Sequence, residues 1–132
     1  MSWIVDKIKW IMLVSGLLTC TMLYAALAPE AALRATFGES LSGPLAAIVV
    51  RNWGTLIVLV GAMLVYGAYH PPARPLIVTV AALSKLTFIA LVLVYGRHYL
   101  GQQAGVVVAI DSAMVLLYAG YLLGIRGQRA RR

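Results

Sequence analysis

Apolar residues fall into four runs, at about 9–28, 45–69, 76–97 and 104–125, separated by short stretches rich in Pro, Gly and charge. As helix, at about 1.5 Å per residue, each run is long enough to cross a hydrocarbon core of about 30 Å. The period-two alternation of a membrane barrel strand is not seen in them. The pattern predicts an all-α integral membrane protein. The expected architecture is a four-transmembrane-helix bundle, one membrane domain over 1–132 with a basic tail at 126–132.

The links refine this expectation. In "PEAALRATFGESLSGP", Pro29 opens a helical turn and Gly38 closes one. Leu33 and Phe37 are four apart, as are Glu30 and Arg34, so a short interfacial helix is predicted in the first loop. Its apolar side is expected toward lipid and its Glu30–Arg34 side toward water. "HPPARP" is short and stiff and makes the second and third spans an antiparallel hairpin. "GRHYLGQQAG" joins the third to the fourth. The first run has Lys7 and Lys9 before it and "ALA" at its end, as a secretory signal would. It is too long for one, and Pro29 would follow the cut, so a retained helix is expected.

Composition agrees with the pattern. The chain is 62% hydrophobic and 11% charged, against about 25% charged in soluble domains. Mean hydropathy is +0.90. The net charge of +7 is unevenly placed. With four crossings, Lys7, Lys9, Arg74 and the C-terminal Arg126, Arg129, Arg131 and Arg132 share one side. Arg34 and Arg97 lie on the other. The bias predicts a bacterial inner-membrane protein with both termini cytoplasmic. The basic tail reads as a juxtamembrane anchor on anionic lipid, with no nucleic-acid partner. Trp3, Trp10, Tyr69 and Tyr121 are expected near the inner interface, and Tyr24, Tyr95 and Tyr99 near the outer one.

Three charges, Arg51, Lys85 and Asp111, fall inside the spans, with Asn52 beside the first. Each charge costs about 2.5–3.5 kcal/mol at a helix centre. Arg51 and Asp111 lie roughly 9–10 Å below the outer ends of their helices, nearly level, and Lys85 is somewhat deeper. Asp111 is the only acid in any span, so it is the expected partner for Arg51, for Lys85, or for both. One reading is a structural ion pair that fixes helix rotation. The others are a binding site whose surplus cation takes an anionic group, such as a lipid phosphate, a carboxylate or a quinone-like headgroup, and a proton- or ion-coupling role for Asp111. Thr55, Tyr66, Ser84, Ser112 and Tyr118 are the supporting polar groups, Tyr66 and Tyr118 as core fillers.

Gly54, Gly61 and Ala68 recur every seventh residue and predict a close helix–helix seam. Gly120 and Gly124 form a second small-residue match, expected to pack within the bundle. Trp53 falls on roughly the opposite side from the Arg51 stripe and is expected to face lipid or a partner.

Enzyme chemistry finds little support. The single cysteine, Cys20, excludes a disulfide or zinc framework within the chain. His70 and His98 are expected on opposite membrane sides, so no shared metal or haem site follows, and no cofactor is predicted. No Ser–His–Asp set or Gly-rich phosphate loop is found.

"RNWGT" followed by "YGAYHPPARPL" resembles the pattern of the small tetraspan scaffold family of ergosterol biosynthesis. The residues that carry it are Arg51, Trp53, Gly54, Thr55, Tyr66, Ala68, Tyr69, Arg74 and Pro75, about a fifth of the chain. The general layout is also similar to that of bacterial DoxX-like four-helix membrane proteins. The resemblance implies a non-catalytic membrane protein that gathers lipid-modifying enzymes. The expected function is therefore a scaffold binding membrane lipids and either a membrane-protein partner or a second copy of itself. The rival is a small transporter or carrier using the Arg51, Lys85 and Asp111 charges.

Overall fold

The computed structural model describes residues 2–132. Four segments are long and apolar enough to cross a membrane: Ser2–Leu27, Pro44–Tyr69, Pro71–Tyr95 and Gln103–Ala130. Together they make an all-α four-helix bundle, with no strand among the described residues. The helices are α1 (Ser2–Cys20), α2 (Leu23–Leu27), α3 (Pro29–Phe37), α4 (Pro44–Tyr69), α5 (Arg74–Tyr95) and α6 (Gln103–Ala130). Short 3₁₀ turns, Pro71–Ala73 and Arg97–Gly101, lead into α5 and α6.

The first span is one crossing in two pieces. At Thr21 and Met22 the backbone switches to i→i−3 hydrogen bonds. The Thr19 and Thr21 hydroxyls bond back to the carbonyls of Ser15 and Leu18. Such back-bonding weakens the regular helix ladder, and α2 restarts after this break before Pro29 opens α3 as its first residue.

Small residues set the tightest packing. Gly54, Gly61 and Ala68 are buried, as the seven-residue spacing predicts, and the stripe's contacts are with the first span. A Cβ on Gly61 would stand 2.9 Å from the carbonyl oxygen of Gly16, and one on Gly16 would stand 2.9 Å from that of Gly61. The two backbones therefore touch through two glycines, the contact that drives helix association where lipid removes the hydrophobic term. The GxxxG match is also used within the chain: Gly120 takes the Ile4 side chain, while Gly124 is half-buried. That contact brings the start of α1 to the end of α6, so both lie at one end of the bundle.

Around this seam the main core collects Met12, Leu64, Val78 and Tyr118, all fully buried. A smaller core at the other end holds Ala25, Ala32, Leu33 and Val50. Leu33 is expected toward lipid from the sequence; here it turns inward. Phe37 packs edge-on against Tyr99, with ring centroids 5.1 Å apart. α3 is thus a cap on the bundle end, because its apolar side finds the ends of α2, α4 and α6 before it finds lipid. Glu30 and Arg34 form no ion pair, the Lys85–Asp111 pair being alone among the described residues. Of the expected interfacial aromatics, Trp3, Trp10, Tyr69, Tyr24 and Tyr95 face outward, whereas Tyr121 is buried in the core.

Candidate functional site

The site is built from the one buried cationic side chain among the described residues. Lys85 is only 7% exposed. Its Nζ donates to Asp111 Oδ1 at 3.0 Å and to Thr19 Oγ1 at 3.3 Å. Thr19 in turn donates to the Ser15 carbonyl at 2.6 Å. One turn earlier on α1, Ser15 Oγ accepts from the Tyr118 hydroxyl at 2.6 Å. These polar groups tie α5 and α6 to α1, so the ammonium is held by an acid from one helix and a hydroxyl from another. Tyr118 is a buried core residue with a satisfied hydroxyl, as its sequence position implies.

The pair opens on a cavity of about 150 Å³. All four spans and α3 contribute to its wall. Trp53, Ile57, Phe88 and Met114 are among its apolar faces; Ser84, Thr21 and Thr36 are further hydroxyl residues of its lining. Asp111 Oδ2 has no hydrogen bond among the described residues, although no buried side-chain oxygen or nitrogen there lacks a partner. That oxygen is therefore accessible, and the cavity is what it reaches. The result is a donor and an acceptor side by side in an otherwise greasy space.

Arg51 is not part of this arrangement, which corrects the expected three-charge cluster. It lies on the outer surface of α4, and its Nη1 donates to the Ala26 carbonyl at 2.9 Å. The cause is helix phase. Gly54, Gly61 and Ala68 seat α4 on the first span, while Trp53, Ile57, Val60 and Leu64 turn toward α5 and α6. At 100° per residue, Arg51 falls on the far side of the glycine stripe from Trp53. Trp53 therefore lines the cavity, and the expectation that it faces lipid or a partner is reversed. Asn52 faces outward with no side-chain hydrogen bond among the described residues; Thr55 also faces outward, its hydroxyl bonded to the Arg51 carbonyl at 2.8 Å. Tyr66 is not a core filler. It lies outward beside His70, ring centroids 5.1 Å apart. Ser112 is half-buried and makes no side-chain hydrogen bond among the described residues.

The Ala26 carbonyl is one of the last in α2 and has no helical partner ahead of it. The guanidinium fills that vacancy at the negative end of the helix dipole. Two other arginines do the same. Arg74 donates from Nε to Gly67 and from Nη2 to Ala68, at 2.9 and 2.7 Å, at the end of α4. Arg97 donates from Nε to Leu93 at 2.8 Å, at the end of α5. Arg74 and Arg97 closely follow the helix ends they cap, so their positions signal this role; Arg51 reaches Ala26 across 25 residues, and its position does not.

His70 and His98 follow α4 and α5 at opposite ends of the bundle. No group of three His, Cys, Asp or Glu side chains suited to a metal occurs among the described residues. Fold and site together define a small multi-pass helical membrane protein whose Lys85–Asp111 pair faces a partly open cavity between the helices. Set against protein-family models, curated proteins and solved structures, the chain has no significant match to any of them.

Proposed function

We propose that the protein is a membrane-embedded binder, or carrier, of a small amphiphile whose polar head enters the cavity beside Lys85 and Asp111. The observation that carries this reading is the accessible Asp111 oxygen next to a lysine ammonium within apolar walls. The two charges cancel and Arg51 lies elsewhere, so the site favours a neutral head that both accepts and donates a hydrogen bond over an anion. A cavity of about 150 Å³ matches one six-membered ring, since a designed apolar cavity of roughly that size takes benzene. The Lys and Arg bias of the loops supports cytoplasmic termini in an inner membrane, which puts this cavity in the outer half of the bilayer. The small-residue positions Gly54, Gly61 and Gly120 are covered within the chain and so are not open to a scaffold's partner.

Trp53 provides the test, because it lines the cavity. In a Trp3→Phe, Trp10→Phe background, a nitrobenzyl alcohol, whose hydroxyl both donates and accepts, should quench Trp53 saturably, and the corresponding alkyl phosphate should not. Filling the space with Val107→Phe, which leaves the ion pair intact, should abolish the saturable quenching. Quenching that survives Val107→Phe, or that only the alkyl phosphate produces, would sink the proposal.

A further inference from the structure

A second cavity, about 410 Å³, lies between the end of α2, the first turn of α3 and the first two turns of α4. It is separate from the Lys85 site and shares none of its lining residues. Leu27, Leu33 and Leu41 give it apolar walls, and two charged side chains, Arg51 and Glu30, line it.

The two charges do not pair with each other, since Lys85–Asp111 is the one ion pair within 4.0 Å among the described residues. Arg51 spends one N–H on Ala26, out of five that a guanidinium carries. Glu30 faces outward and makes no side-chain hydrogen bond among the described residues. Arg51 lies seven residues past Pro44, where α4 begins, or roughly 10 Å along the axis. With α4 of 26 residues about 39 Å long against a hydrocarbon core of about 30 Å, that depth is within about 6 Å of the boundary between headgroups and acyl chains, a distance a long guanidinium side chain spans.

An uncommitted guanidinium and an uncommitted carboxylate in one apolar-walled interfacial cavity suit a ligand that joins an anion to a cation and carries hydrocarbon. We propose that this cavity binds a zwitterionic phospholipid bearing a primary ammonium, with its phosphate on Arg51 and its ammonium on Glu30. Arginine suits phosphate through its planar fork. An anionic lipid gains the same phosphate contact but lacks the cation that Glu30 selects. A choline lipid has the positive charge but no N–H to donate.

The experiment offers the full-length protein equal amounts of dioleoyl phosphatidylethanolamine, phosphatidylcholine and phosphatidylglycerol in mild detergent. Native mass spectrometry then reads the retained lipid. Phosphatidylethanolamine should exceed phosphatidylcholine by about tenfold, the discrimination one charged hydrogen bond supplies. Glu30→Gln should bring that ratio near one and raise phosphatidylglycerol, while Arg51→Gln should lower retention of all three. Equal retention of the ethanolamine and choline lipids by the unmodified protein overturns the proposal. So does a ratio that Glu30→Gln leaves unchanged, and this arm is independent of any loss of fold in Arg51→Gln.

Discussion

Arg51 hydrogen-bonds the Ala26 carbonyl across two helices, at 2.9 Å, and so closes the end of the broken first span. Hydrogen bonds to charged groups contribute about 1.5–3 kcal/mol, and a helix dipole adds up to about 2 kcal/mol in favourable geometry. Arg51→Met should therefore lower the thermal unfolding midpoint in detergent. Arg51→Lys should recover much of the loss, because one carbonyl needs only one donor. Arg74 differs, since two of its nitrogens serve two carbonyls. Arg74→Lys should behave nearly as badly as Arg74→Met.

Lys85 and Asp111 are worth more together than apart. Removing one partner of a buried pair costs about 3–5 kcal/mol, because the other charge is left unpaired. Asp111→Leu and Lys85→Met should each destabilise the protein by that order. The double variant Lys85→Met, Asp111→Leu should regain most of the stability and still lose ligand quenching at Trp53. A double-mutant cycle on unfolding free energies measures the coupling. A coupling near zero would show that the pair contributes nothing to fold.

The contact between Gly16 and Gly61 leaves no room for a methyl group. Gly61→Ala should push α1 and α4 apart at a cost of about 1–3 kcal/mol, the range for overpacking. At Gly127, nothing stands within 4 Å of an added Cβ. Gly127→Ala is the matched control and should be neutral or slightly stabilising, as in any helix interior. Denaturation of the two variants side by side checks the difference.

At the α3 end of the bundle, Tyr99 donates its hydroxyl to Glu39. This bond, then burial and the nearby Glu39 charge, raise the Tyr99 pKa above its ordinary 10.0. A raised pKa in the folded state means that the stabilisation is complete below pH 10 and is lost as pH climbs through the folded value. The stability gap between the unmodified protein and Tyr99→Phe should thus be constant up to about pH 10 and close above it. Phenolate absorbance should show one tyrosine moving to lower pH in Glu39→Gln.

Much of this arrangement was legible in the residues. Span positions, the presence of a short helix between Pro29 and Gly38, and the glycine seam follow from hydropathy, turn chemistry and seven-residue spacing. Lys85 and Asp111 were legible as partners because the spans hold one acid. Both depth and rotation separate Arg51 from the pair. It reaches Ala26, seven residues nearer the end of the first span than the Thr19 that Lys85 reaches, and it lies on the far side of the Gly54–Gly61 stripe from the cavity. The broken first span was not legible either. Thr19 and Thr21 sit in a run that reads as one uninterrupted helix, and only their bonds back to the main chain reveal the break. Nor does hydropathy say whether Leu33 and Phe37 meet lipid or protein.

The Lys85–Asp111 bond has a consequence for how the chain is made. Its acid is synthesised 26 residues after its base, and its Thr19 partner 66 residues before. At about 5–20 residues per second, α5 waits roughly one to five seconds for its counter-ion. During that interval a lysine must enter, or be held beside, the bilayer with one neutral hydroxyl as its only built partner. Lateral release of the third span into lipid should therefore be delayed until α6 emerges, and a chain truncated after Tyr95 should be held back by the insertion machinery.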